Sequence, residues 1–258
     1  MKYDGFILDL EGTLIQSGKG LLGAAELVQN ITSRNIPFRI ITNTVGRSPA
    51  ELALTLQRSG IEVSPELIIT PMEVLNSYFM KYEDPISFLF VGPEFIQQRL
   101  NIQSSLSDEL TPDYVILCDF ERIPFGFKQL NEIYRYLDRG AKLITLSESP
   151  YYLDQEERKL DTGSFSKLFQ YASGQQAILL GKPSYQIYKE ALTQMGITSS
   201  HTLTVGDDIN TDIRGGKEAG IKTVLVRSGK YRHGDELQVT PDIVVDNLLN
   251  LLNLINLK

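Results

Sequence analysis

Phe6-Ile7-Leu8-Asp9-Leu10-Glu11-Gly12-Thr13 is the stretch on which the reading of this chain turns. A short apolar run ends in an acid, and a glycine follows three residues later. Apolar runs of this length, bounded by Gly, Asp or Pro, suit strands buried on both faces in a parallel sheet. Gly12 permits a sharp turn beyond the strand end. The i, i+2 spacing of Asp9 and Glu11 can then aim two carboxylates into one site. One carboxylate can attack, while the other handles a proton or presents its backbone carbonyl to a metal. Taken alone, Asp-x-Glu-Gly is also common loop chemistry.

Working outward, the same kind of run recurs at residues 38–42, 87–91, 114–117, 142–145, 177–180, 202–205 and 223–226. Helix-like segments lie between them. Ala24 to Arg34 carries Ala25, Val28 and Ile31 on one face. Pro49 to Ser59 has Ser48 as N-cap, Pro49 at the first helical position and Gly60 past its end. Ser184 to Met195 is stopped by Gly196. The segment from Asp246 to Asn256 has Asn at every third position and reads as an amphipathic helix packed on the core. Alternating strands and helices predict an α/β fold with a Rossmann-like parallel sheet.

Ligands of open α/β sheets bind beyond the carboxyl ends of the strands. Asp9, Thr42 and Asp207 each lie at or just past such an end, and Lys182 follows the 177–180 run by two residues. Four endings therefore point to one crevice. Thr42-Asn43-Thr44 offers hydroxyls and backbone N–H groups to phosphate oxygens, although Thr-Asn also simply starts turns. Gly181-Lys182-Pro183-Ser184 places an ammonium where it can neutralise a phosphate or a carboxylate. It is not a P-loop, because residue 183 is proline. Gly206-Asp207-Asp208-Ile209-Asn210-Thr211-Asp212 sets three carboxylates within six residues. They repel unless a cation compensates, and hard oxygen ligands suit magnesium.

Composition narrows the function classes. The chain has 258 residues, 42% of them hydrophobic and 22% charged, which suits a folded chain with a full core. The net charge of -7 argues against a general affinity for nucleic acid. The short basic patch Lys230-Tyr231-Arg232-His233 reads as a solvated loop. Cys118 is the single cysteine, which excludes an intramolecular disulfide or a zinc site of several cysteines. It reads as a buried strand residue and not as a nucleophile. His201 and His233 are the only histidines, which excludes a His-rich metal site. No signal peptide and no apolar run near 20 residues is found, so the expectation is a cytoplasmic protein with no membrane partner.

Together the four strand-end motifs resemble those of the haloacid dehalogenase-like phosphatases, in the same order and across essentially the whole chain. The resemblance implies that Asp9 is a nucleophile forming an aspartyl-phosphate and that Thr42 binds the transferring phosphoryl group. Lys182 would orient Asp9 and offset charge. Asp207 would bind magnesium with Asp9 and the backbone carbonyl of Glu11, while Asp208 and Asp212 hold metal-bound waters. Asn43 and Thr44 join the substrate-binding set.

The gap of 138 residues between Asn43 and Lys182 exceeds what a minimal core requires (182 − 43 − 1). The surplus resembles the inserted α/β cap of the NagD and 4-nitrophenylphosphatase-like subgroup. The division this implies is a core of 1–78 and 178–258 and a cap of 79–177. The stretches at 160–164 and 227–231 are similar to the branch containing the phospholysine phosphohistidine inorganic pyrophosphate phosphatase. Caps of this kind form dimers in relatives and keep macromolecules out, which implies a small phosphorylated substrate and leaves a homodimer through the cap as an open expectation.

Two departures stand out. The family's usual general acid–base Asp is Glu11 here, one methylene longer. In the cap, Ser147-Glu148-Ser149-Pro150 replaces the usual Asn-Pro-Asp, so Glu148 is a candidate selector of substrate by like-charge repulsion. The reading is a magnesium-dependent phosphatase of a small metabolite. The alternative is a low-turnover binding or regulatory protein, and transfer to an acceptor other than water is a third. Dehalogenation has no need of the acidic loop 207–212.

Overall fold

The computed structural model of the chain describes residues 3–101, 111–120, 123–154 and 157–255. By contact, the chain divides into two compact units. The first comprises Met1–Thr42, Arg47–Thr70 and Lys182–Lys258, and the second Asn43–Gly46 and Pro71–Gly181. The fold is α/β, a Rossmann-like parallel-sheet core with an inserted α/β cap.

The core sheet has six parallel strands in the order Ile243–Val245, Lys222–Val226, Thr202–Gly206, Gly5–Asp9, Phe38–Ile41, Ile68–Ile69. Gly5–Asp9 is buried at every position, as its unbroken apolar run predicts. The helix Ala24–Ser33 presents Leu27, Val28 and Ile31 to a core that also holds Leu8, Ile40, Leu203, Val205 and Val224. Each such side chain contributes roughly 1.5–3 kcal/mol on full burial. Ser48 caps Pro49–Arg58 in a full capping box with Glu51. The terminal helix is Leu248–Leu254, capped by Asn247, whose side chain accepts the Asn250 N–H at 3.0 Å. Its Leu248, Leu251 and Leu252 are buried in the core.

The second unit holds its own parallel sheet, ordered Ile178–Leu179, Lys142–Thr145, Tyr114–Leu117, Phe88–Val91. The helices Phe127–Asp138 and Thr162–Ser173 contribute Ile133, Leu137 and Phe169 to a core with Val115, Leu117 and Leu143. An antiparallel hairpin joins Tyr151–Asp154 to Glu157–Leu160. Cys118 is buried just past Tyr114–Leu117, and its carbonyl accepts the Thr162 hydroxyl at 2.7 Å.

The units differ in three places from the division read in the sequence, one of them the short segment Asn43–Gly46, which groups with the second unit. The run near 177–180 pairs with Lys142–Thr145, so it belongs to the second sheet, and the chain re-enters the first unit at Lys182. The helix Pro71–Phe79 also groups with the second unit. Its Phe79 ring stacks on Phe88 and meets Tyr114 edge-on, and those aromatic contacts decide its side. Among the described residues, no helix is long and apolar enough to cross a membrane.

Candidate active site

Strand register builds the site in the first unit. Gly5–Asp9 lies between Thr202–Gly206 and Phe38–Ile41, with Leu8 opposite Val205 and Asp9 opposite Ile41. Asp207 and Thr42 each follow the last residue of a neighbouring strand, so both emerge at the sheet edge where Asp9 ends. Thr42 is buried, and its N–H donates to the Ile69 carbonyl at 3.2 Å. Lys182 arrives by a different route. The strand before it lies in the other sheet, so three core strand ends, not four, meet here.

Asp9, Lys182, Asp207 and Asp212 are all buried. The Lys182 ammonium donates to Asp9 Oδ1, and to Asp212 Oδ1 at 2.6 Å. Asp9 Oδ2 is buried and has no hydrogen-bond partner among the described residues. Asp9, Asp207 and Asp212 offer oxygens that all lie within 4.8 Å of one another. The electrostatics follow from three carboxylates sharing one buried ammonium. Burial, then the charges of Asp9 and Asp212, push the Asp207 carboxyl up to about 8, against the pull of the Lys230 N–H. Burial also lifts Asp212 to about 6, with Lys182 opposing and Asp9 adding. Burial works against the Lys182 charge, yet Asp212 and Asp9 hold its ammonium well above the ordinary lysine range. An orphaned carboxylate oxygen beside two further acids fits a hard divalent cation, whose charge would remove the repulsion.

Asp207 is gripped by backbone on two sides. Gly12 has φ +92° and Gly229 φ +50°, and a Cβ at either would come within 2.3 or 2.1 Å of Asp207 Oδ2. The Lys230 N–H donates to Asp207 Oδ2 at 2.6 Å, and the Thr13 hydroxyl donates to Oδ1 at 3.2 Å. The Ser228 hydroxyl donates to the Gly12 carbonyl at 2.6 Å and ties the two loops together. Asp212 ends up near Asp207 because residues Ile209–Ile213 form a π-helical turn. The buried Tyr188 hydroxyl lies 2.9 Å from the Thr211 carbonyl and 3.1 Å from that of Asp212, and holds that turn from behind.

The remaining candidates are not among those clustered carboxylates. Glu11 is half-exposed, and its carboxylate is not one of the three that cluster. It pairs with Arg47 at 3.3 Å. Burial raises the Glu11 carboxyl above its ordinary range, the Arg47 guanidinium opposes this, and Asp9 adds to the rise. Asp208 meets Lys230 Nζ at 3.3 Å and accepts the Asn210 N–H at 2.8 Å. Asn43 and Thr44 fall in the short segment that groups with the second unit. Glu148 is in that unit too, 3.2 Å from Lys167 Nζ. Its loop is anchored by the Ser149 and Pro150 carbonyls, which accept the Gly163 N–H and the Ser164 hydroxyl. Arg47, Tyr188 and the grip of Gly229 on Asp207 carried no motif; only the stretch around Ser228 stood out, by likeness.

Two family models match the chain. Residues 6–102 match the haloacid dehalogenase-like hydrolase model, and residues 179–251 match a HAD-hydrolase-like model. The human phospholysine phosphohistidine inorganic pyrophosphate phosphatase is 30% identical over 97% of this chain and 93% of its own length. The dihydroxyacetone phosphatase of Corynebacterium glutamicum is 28% identical over 87% of this chain and 81% of its own. Among solved structures, NagD of Escherichia coli K-12 has a TM-score of 0.84 at 23% identity, covering 96% of this chain and 98% of that one.

Proposed function

Since the chain belongs to the haloacid dehalogenase-like hydrolases and is a phosphoric monoester hydrolase, we propose that it hydrolyses a small phosphorylated metabolite, with magnesium, through an aspartyl-phosphate on Asp9. The observation that carries this reading is the Asp9 carboxylate. It is buried at a central strand end, with one oxygen held by Lys182 and the other without a hydrogen-bond partner among the described residues.

The chemistry proceeds in two displacements. An Asp9 oxygen attacks phosphorus, and the bond from phosphorus to the ester oxygen breaks. The leaving oxygen keeps that electron pair and takes a proton from the Glu11 carboxyl. Water then attacks the aspartyl-phosphate and gives its proton to the Glu11 carboxylate. The bond to Asp9 breaks, and the carboxylate and inorganic phosphate result. Lys182 orients Asp9 and balances charge throughout, and Thr42 with Asn43 and Thr44 binds the phosphoryl oxygens. Asp9, Asp207 and Asp212 would hold magnesium, with the backbone carbonyl of Glu11, and the bound ion neutralises charge on the phosphoryl group. The named substrates of the relatives, a phosphorylated triose and inorganic pyrophosphate among them, support a small molecule. Glu148 is proposed to disfavour strongly anionic leaving groups.

The test is hydrolysis of para-nitrophenyl phosphate with and without magnesium, beside Asp9→Asn. Magnesium-dependent turnover that disappears in Asp9→Asn is expected. A folded wild-type chain without turnover would overturn the reading in favour of a phosphate-binding protein.

A further inference from the structure

We propose that Arg47 is a positioning residue for Glu11, fixing its carboxylate for the second displacement, in which it takes the proton of the attacking water. This rests on the phosphatase reading above.

Three observations lead there. First, Arg47 Nη2 lies 3.3 Å from Glu11 Oε1, within the first unit. Second, the backbone that carries Arg47 is held. It immediately precedes Ser48, whose N–H and hydroxyl both donate to Glu51 Oε2, at 2.7 and 2.8 Å. Third, both partners are about two-fifths exposed, at 42% and 41%. An ion pair that open adds little to stability. It can nevertheless set a direction. Glutamate has one more rotatable bond than aspartate, so an unrestrained Glu11 would spread over more rotamers. A guanidinium 3.3 Å away narrows that spread. In the second displacement the carboxylate must face the attacking water, so that is where the contact should matter.

Para-nitrophenyl phosphate isolates that step. Nitrophenolate leaves with the electron pair of its bond to phosphorus and needs no proton, so the first displacement runs without Glu11. The second still requires a base. Steady-state and stopped-flow kinetics of Arg47→Ala should show kcat lowered by about tenfold to a hundredfold. KM should fall with it and leave kcat/KM little changed. A burst of about one nitrophenolate per chain should appear as the aspartyl-phosphate accumulates. Arg47→Gln, which keeps the shape without the charge, should behave alike, and Arg47→Lys should recover part of kcat. In a Glu11→Gln background, Arg47→Ala should change kcat no further. Equal losses in kcat and kcat/KM without a burst, an unchanged kcat, or additive losses with Glu11→Gln would overturn the assignment. Absence of magnesium-dependent turnover in the wild type would instead overturn the phosphatase reading on which it rests.

Discussion

Gly229 and Asp207 meet so closely that one added carbon does not fit: a Cβ on Gly229 would lie 2.1 Å from Asp207 Oδ2 and 2.6 Å from the Gly12 α-carbon. Gly229 also has φ +50°, a conformation that costs an L-residue about 1–2 kcal/mol before any clash. Gly229→Ala should therefore lower the thermal midpoint and weaken magnesium binding together. Calorimetric titration with magnesium beside a melting curve checks this. A variant with wild-type values of both would show that the loop yields at no cost.

The metal-free protein should lose stability as pH rises. Asp207 is pushed up to about 8 by burial and by Asp9 and Asp212, so it binds a proton more tightly folded than unfolded. The stability this contributes is complete below the unfolded value of about 3.9 and disappears as pH passes through about 8. Asp212, lifted to about 6, acts in the same sense. In chelator, the melting temperature should fall between pH 5 and pH 8. Magnesium should raise it more at pH 8 than at pH 5, because the ion competes with those protons.

Tyr188→Phe removes the hydroxyl that reaches the Thr211 and Asp212 carbonyls. The cost should be about 1–3 kcal/mol, since buried acceptors lose their donor. Urea unfolding measures it. Because Asp212 rides on that turn, magnesium affinity should fall as well, and unaltered affinity would separate the hydroxyl from the site.

Cys118 should resist thiol reagents in the native protein. It is buried, and burial pushes its thiol well above the ordinary range, so little thiolate exists at neutral pH. Alkylation should be slow until denaturant is added. Fast native labelling would contradict the burial.

How much of this the sequence disclosed depended on the length of each signal. Phe6–Leu8 and Thr202–Val205 are apolar runs long enough to read as strands, and the acids that end them read as a site. Ile68–Ile69 and Ile243–Val245 are two- and three-residue edge strands without a pattern of their own, fixed only by pairing with longer neighbours. Lys182 was legible as a charge near the site and the run before it as a strand, yet the sheet that strand joins was not. Four apolar residues before Gly181 look the same whichever sheet they join, and only pairing with Lys142–Thr145 decides. Asp212 was legible as an acid, but its entry among the clustered carboxylates needed the π-helical turn. The partnership of Glu11 with Arg47 spans 36 residues and has no periodicity to reveal it.

The middle strands of the core sheet come from far apart in the chain. Gly5 pairs opposite Thr202, and the whole second unit is spooled out between them. During synthesis Asp9 emerges early, gains Phe38–Ile41 as a neighbour soon after, and must wait for most of the polypeptide before its other neighbour, Thr202–Gly206, exists. The inserted unit can close on itself first, its strands being drawn from one continuous segment. The core can close only late, through contacts of high sequence separation, which are slow to form. A ribosome stalled between residues 42 and 202 would thus carry the Asp9 strand paired on one side only, its other edge open to chaperones.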